Sequence, residues 1–246
     1  RTLMRGHGLD LTDLREYQAH DDVRHIDWNV TARLDHPHVR VFTEDREMSA
    51  WFLLDLSASV DFGSGRQRKK QVTSDFVAVL ARMLTREGNR VGALLYGNQV
   101  DACLPPRAGR GQVLQLMHRL HNRPTAAPGT GTRLQDLLQA AAHQLKRRAT
   151  VFVVSDFISE PGWDKPLSQL ARRHDVVAVR VLDALEQDLP DLGLVPMRDA
   201  ETGEFLMVDT HDKGFRRRFA ALVQAQEERF ASALVSAGVD ALELRT

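Results

Sequence analysis

The stretch Ala50-Trp51-Phe52-Leu53-Leu54-Asp55-Leu56-Ser57-Ala58-Ser59 decides the fold. A near-continuous apolar run reaching Asp55 is what a central strand covered on both faces requires. The Asp-x-Ser-x-Ser that follows places a carboxylate and two hydroxyls at the strand's carboxyl end, where open α/β sheets form their ligand crevices.

From Met48 onward, short apolar runs alternate with longer amphipathic ones, the pattern of an α/β protein with a mostly parallel sheet. Strands are expected at 50–56, 90–96, 99–104, 150–155, 175–182 and 239–244. Gly97-Asn98 makes a tight turn between the second and third, so one edge strand runs antiparallel. Helices are expected at about 66–86, 111–120, 133–147, 165–173 and 213–236. The last repeats Phe215, Phe219, Leu222, Val223, Phe230 and Leu234 at three-and-four spacing, and Gly238 stops it. A small hairpin is expected near 194–209, turning at Glu201-Thr202-Gly203-Glu204. The predicted architecture is a doubly wound, Rossmann-like sheet over 48–246, with helices on both faces. It is preceded by a polar extension, 1–47, that carries short β-like pieces such as His38–Phe42 and is expected to pack on the main body.

Composition sets the class. The chain has 246 residues, 43% hydrophobic and 27% charged, with 16 Gly and 9 Pro, which excludes disorder, collagen and a coiled-coil rod. Its 33 basic and 33 acidic residues cancel, so the overall charge calls for neither nucleic acid nor an anionic membrane. The single cysteine, Cys103, cannot form an internal disulfide and fits a reducing compartment. No apolar run reaches the roughly 20 residues of a spanning helix, and Arg1-Thr2-Leu3-Met4-Arg5 lacks a signal-peptide core. A cytoplasmic location is expected. Because the sequence starts without Met, membrane attachment through upstream residues stays open.

Two further features join Asp55, Ser57 and Ser59. Thr132 opens a helix after the loop Pro128-Gly129-Thr130-Gly131, and Asp156 follows Ser155 at the end of another apolar strand. If the strands at 50–56 and 150–155 are neighbours, Asp55 and Asp156 sit side by side with the Thr132 loop above them. Two carboxylates and three hydroxyls form an all-oxygen site suited to a hard cation, Mg²⁺ or else Mn²⁺ or Ca²⁺, rather than zinc. The plainer alternatives are an Asp accepting backbone hydrogen bonds and hydroxyls that cap helices, with Thr130 as Thr132's nearest rival.

Asp-x-Ser-x-Ser, a distant Thr opening a helix, and an Asp ending a later strand together resemble the metal-ion-dependent adhesion site of von Willebrand factor A domains. By that resemblance Ser57, Ser59 and Thr132 are direct ligands, and Asp55 and Asp156 act through water or from behind. The segments His7–Asp10, Leu14–Tyr17, Asp21–Trp28, Thr31–Arg33, Leu182–Glu186, Leu189-Pro190, Asp199–Gly203 and Val208–Thr210 are similar to the bacterial family called domain of unknown function fifty-eight. Members of that family are commonly associated with MoxR-type AAA+ ATPases. The resemblance thus implies a non-enzymatic protein-binding or chaperone-like module whose cation is completed by a partner's Asp or Glu.

A metal-dependent phosphoesterase is the second class of function, but it needs a base or nucleophile beside the cation. The sequence offers no convincing His or Lys there, and Glu160 is a weak candidate. Gly63-Ser64-Gly65-Arg66 could cradle a phosphate, yet no Gly-x-x-x-x-Gly-Lys-Ser/Thr run accompanies it. The basic clusters 66–70, 146–148 and 216–218 read as solvated helix faces, and nucleic-acid binding is not expected. His7, His20, His25, His36 and His38 fit no zinc spacing. Cys103, in an apolar strand, reads as a buried inert thiol.

Overall fold

The computed structural model describes residues 9–44, 48–65, 67–123, 132–198 and 205–246. The chain divides into two compact units, residues 1–48 and 49–246. In the first, β1 (Leu9–Glu16) pairs antiparallel with β2 (His38–Glu44), and between them lies α1 (Trp28–Leu34). Asp27 starts that helix by accepting the N–H groups of Asn29 and Val30, the role a short acidic side chain plays at a first turn. The Arg15–Asp21 and Arg24–Asp22 pairs on this unit are solvent-exposed and contribute little to stability.

The second unit contains, in chain order, β3 (Ser49–Asp55), α2 (Lys69–Arg86), β4 (Arg90–Tyr96), β5 (Val100–Arg107), α3 (Arg110–His121), α4 (Leu134–Gln144) and β6 (Thr150–Ser155). It continues with α5 (Asp164–Ala171), β7 (Asp175–Leu182), α6 (Ala184–Gln187), β8 (Leu194–Arg198), β9 (Phe205–Asp209), α7 (Lys213–Ala237) and β10 (Asp240–Arg245). Six strands form one sheet in the order β10-β7-β6-β3-β4-β5. All pairings in it are parallel except β4 with β5. The order reverses at β3, whose neighbours β4 and β6 lead to opposite sides, so the crevice of a doubly wound sheet opens at the end of β3.

Alternation along the strands sorts the core into two layers. Trp51, Leu53, Val151 and Val153 pack with Leu137 and Leu138 of α4, Leu167 and Leu170 of α5, and Phe230 and Leu234 of α7. Phe52, Leu54, Val154 and Val179 face the other way, onto Val77 and Leu84 of α2 and Leu116 and Leu120 of α3. Gly238 ends α7 in the left-handed conformation, φ 65°, and passes the chain directly into β10. β8 and β9 form a separate antiparallel hairpin.

The outer strand β5 differs from its sequence reading in one respect. Leu104 faces the core, but Cys103 is exposed, because its side of this outermost strand is left open to solvent. Near the end of β5, Pro105 and Pro106 accompany a register shift against Val91–Ala93. The buried Gln112 repairs the ladder there, its amide donating to the carbonyls of Val91 (2.8 Å) and Pro105 (3.0 Å).

Candidate functional site

Four of the five residues expected at the site, Asp55, Ser57, Ser59 and Asp156, lie at or just past the carboxyl ends of adjacent strands, and Thr132 lies just before α4. β3 and β6 run parallel in register, Leu54 opposite Val154, so Asp55 at the end of one and Asp156 just past the other are brought together. The chain then turns tightly after each. The N–H of Ser57 donates to Asp55 Oδ1 (3.1 Å), and that of Ile158 donates to Asp156 Oδ1 (3.0 Å). Ser155 Oγ donates to Asp55 Oδ2 (2.7 Å) and accepts from Phe157 N–H (2.9 Å), tying the two turns together. Phe157 adopts a φ of 58°, unusual for an aromatic residue, and its ring is anchored against Trp163 and Phe230.

Ser57 and Ser59 flank the start of a short 3-10 turn, and their hydroxyl oxygens lie 3.1 Å apart. Thr132 is buried, and the peptide group that follows it is held at both its carbonyl and its N–H. Its carbonyl accepts from Ser159 Oγ and Glu160 N–H, both at 2.9 Å. The N–H of Arg133 donates to the Tyr96 hydroxyl (3.1 Å), and Tyr96 is the register partner of Asp55. Thr132 does not cap α4. The hydroxyl of Ser159, from the loop after β6, accepts the Leu134 N–H instead (2.9 Å). Thr130 and the rest of the loop at 128–131 lie outside the described residues, as do His7 and 199–203.

The main correction concerns Lys69. The sequence reads cluster 66–70 as a solvated helix face and offers no His or Lys with a convincing role near the aspartates. Lys69 is instead fully buried, its ammonium 2.7 Å from Asp156 Oδ2 and 2.6 Å from Glu186 Oε1. The signal was present in the sequence: Lys69, Thr73, Val77, Ala81 and Leu84 form the inward stripe of α2. Glu186 belongs to α6, where it completes a capping box with Asp183. Asp183 in turn accepts from the N–H of Ser64 (2.8 Å) and the hydroxyl of Thr246 (2.7 Å). Ser64 therefore serves Asp183 rather than a phosphate. Glu160 is exposed and lies 3.5 Å from Arg133.

Charge is distributed unevenly over this cluster. Burial favours neutral Lys69, but Asp156 and Glu186 more than offset it and raise the lysine's pKa above its ordinary value. Burial also lifts the Glu186 carboxyl, outweighing the pull of Lys69. Asp55 is different. It is 1% exposed, and burial, with repulsion from Asp156 second, pushes its pKa up to about 6. Its hydrogen bonds from Ser57 and Ser155 come from neutral groups. A buried carboxylate with neutral donors only is a poor place for a negative charge unless a cation stands beside it.

The oxygen set fits such a cation. The Ser57 and Ser59 hydroxyls are hydrogen-bonded to each other at 3.1 Å, a separation also compatible with adjacent ligands of an octahedral ion, which lie about 3 Å apart for bonds of 2.0–2.1 Å. No cluster of three or more His, Cys, Asp or Glu able to hold a metal occurs among the described residues, which include His20, His25, His36 and His38. The site at Asp55 would depend on hydroxyls rather than on such a cluster.

Residues 13–229 match the family described as "Protein of unknown function DUF58". The chain is 35% identical over 247 aligned residues to the uncharacterized protein Rv1480 of Mycobacterium tuberculosis, spanning 99% of this chain and 77% of that one. The chain belongs to the DUF58 family. Among solved structures it is similar to the conserved hypothetical protein BatB of Bacteroides thetaiotaomicron, with TM-score 0.53, 13% identity, and coverage of 81% of this chain and 91% of that one. It is equally similar to an aerotolerance-related membrane protein of Bacteroides fragilis, with TM-score 0.53, 14% identity, and coverage of 80% and 91%. At such identities the likeness concerns the fold alone, which in this DUF58 chain is the doubly wound sheet described above. No helix among the described residues is long and apolar enough to cross a membrane.

Proposed function

We propose that this DUF58 chain is a non-enzymatic protein-binding module whose partner completes the coordination of a divalent cation, Mg²⁺ or a similar hard ion. The observation that carries this reading is Asp55, buried and hydrogen-bonded among the described residues only by neutral groups, beside two hydroxyls spaced like adjacent ligands of a small octahedral ion. Ser57 and Ser59 would be direct ligands, with Thr132 joining them, and Asp55 would balance the charge. Asp156 would stand further back, because Lys69 already holds it. A cation held mainly by neutral hydroxyls keeps an exchangeable position that suits an Asp or Glu from another protein. A MoxR-type AAA+ ATPase is the proposed partner, on the strength of the family resemblance.

Lys69 does not favour the phosphoesterase alternative. It is sealed from solvent, bound to two carboxylates and held protonated, so it is neither a base nor a nucleophile.

Thermal unfolding with MgCl₂, MnCl₂, CaCl₂ or EDTA tests the cation. A ligand that binds the folded state alone raises the melting temperature with its concentration. The wild type should show that rise, and Ser57→Ala should lose it while keeping its fold. Co-purification with a MoxR-type ATPase should likewise need the cation and Ser57. Divalent-stimulated hydrolysis of phosphate esters that disappears in Asp55→Ala would overturn the binding-module reading.

A further inference from the structure

One strand over from Asp55, a cleft of about 750 Å³ opens between the β4–β5 turn and α3. Its position follows from register. Asp55 is paired with Tyr96, and the Leu56 N–H donates to the Tyr96 carbonyl at 2.8 Å, so Gly97 starts the cleft wall beside the proposed cation site. Neighbouring strands lie only about 4.8 Å apart. Arg119, Arg123 and His118 line the cleft, and Asp101 is its single acidic lining residue.

Arg123 is the unusual member. Its side chain is only 10% exposed. Nη2 donates to the Asp101 carboxylate, but Nη1 is shut off from water and has no acceptor among the described residues. A guanidinium is built to bind a carboxylate through two parallel N–H groups, and a buried donor left unmade is costly. The turn is also shaped around this side chain. A Cβ on Gly97 would stand 2.5 Å from Arg123 Nη2, so a larger residue there displaces the guanidinium. An ion pair serving only to fasten the turn needs neither the second unsatisfied nitrogen nor Arg119 beside it.

We propose that this cleft is an oxyanion site for a carboxylate of an acidic peptide segment, the same segment that offers another carboxylate to the cation at Asp55, Ser57 and Ser59. The inference rests on the cation-dependent reading above and specifies the partner's chemistry: at least two acidic side chains, one for the ion and one for Arg123. With the ion bound, positive charge runs from the end of β3 to α3, which matches such a segment and no neutral one.

The test is titration of a hexaglutamate peptide onto the whole chain, in MgCl₂ and in EDTA. The wild type should bind more tightly with Mg²⁺. Arg123→Gln should weaken binding by about five-fold or more in both conditions, since it removes a charge-assisted contact. Gln115→Glu alters an exposed α3 residue lining the cleft and should weaken binding similarly with an unchanged melting temperature. If Arg123→Gln fails to fold, Gln115→Glu decides alone. Mg²⁺-dependent binding that both substitutions leave unchanged overturns the cleft and leaves the cation site standing. Binding indifferent to Mg²⁺ but weakened by both substitutions supports the cleft and removes the cation. No binding by the wild type overturns the cleft.

Discussion

Lys69 Nζ and Asp156 Oδ2 form an ion pair 2.7 Å long with both side chains fully shielded from solvent. The pair ties the first residue of α2 to the end of β6, and through Glu186 it also reaches α6. Its electrostatics differ from those of the exposed pairs on residues 9–44, because little water screens it.

Lys69→Met keeps most of the side-chain volume but strands Asp156 and Glu186 without their ammonium. Breaking a buried pair in this way costs on the order of 3–5 kcal/mol. Urea unfolding monitored by circular dichroism should show a loss of that size at pH 7.5, whereas Arg24→Met, which breaks an exposed pair, should leave the unfolding midpoint nearly unchanged.

Asp55 sets a pH dependence in the absence of divalent ions. Its pKa rises from 3.8 to about 6 in the folded protein. Between those values the folded state holds the proton that the unfolded state has released, so Asp55 makes stability fall as pH rises through that window. Asp55→Asn removes this decline. Without cations the variant should exceed the wild type at pH 7.5 by up to about 3 kcal/mol, and it should gain nothing from added Mg²⁺. Equal stability of the two proteins at pH 7.5 and at pH 4 would contradict the burial-driven rise.

His174 works in the opposite sense. It is 4% exposed, and neither ring nitrogen has a hydrogen-bond partner among the described residues. Burial, reinforced by Arg173, lowers its pKa below the ordinary histidine value. The unfolded chain takes up the proton first, so this contribution is intact above pH 6.5 and is lost as pH falls below it. His174→Leu should flatten the fall in melting temperature between pH 7.5 and 5.5 relative to the wild type.

Gly238→Ala isolates a backbone effect. A Cβ at this position meets nothing within 4 Å, and the residue sits at φ +65°. The cost should therefore be the left-handed conformation alone, about 1–2 kcal/mol, read from urea midpoints with an unchanged slope.

Much of the fold was legible because its strands are buried on both faces. Ala50–Leu54 and Thr150–Ser155 advertise themselves as unbroken apolar runs, and the Gly97-Asn98 turn announces the antiparallel edge. Asp55, Ser57 and Ser59 stood out because they follow such a run directly. Lys69 was hidden by its neighbours: in Arg66-Gln67-Arg68-Lys69-Lys70, only the phase of α2 distinguishes the residue that turns inward. Cys103 was misread for the converse reason, since an apolar run does not reveal that one face of an outermost strand lacks a covering helix. The link from Glu186 to Lys69 joins elements 117 residues apart, and no local pattern encodes it.

Pro105 and Pro106 on the outermost strand β5 bear on how copies of this chain behave at high concentration. Two successive residues without an N–H interrupt the row of donors along that border, so a stray strand finds no continuous ladder to extend. The opposite border, β10, carries the charged residues Asp240, Glu243 and Arg245, which an incoming strand would have to strip of water. Both margins of the six-stranded sheet thus discourage fibril-like stacking through the flanks of the chain.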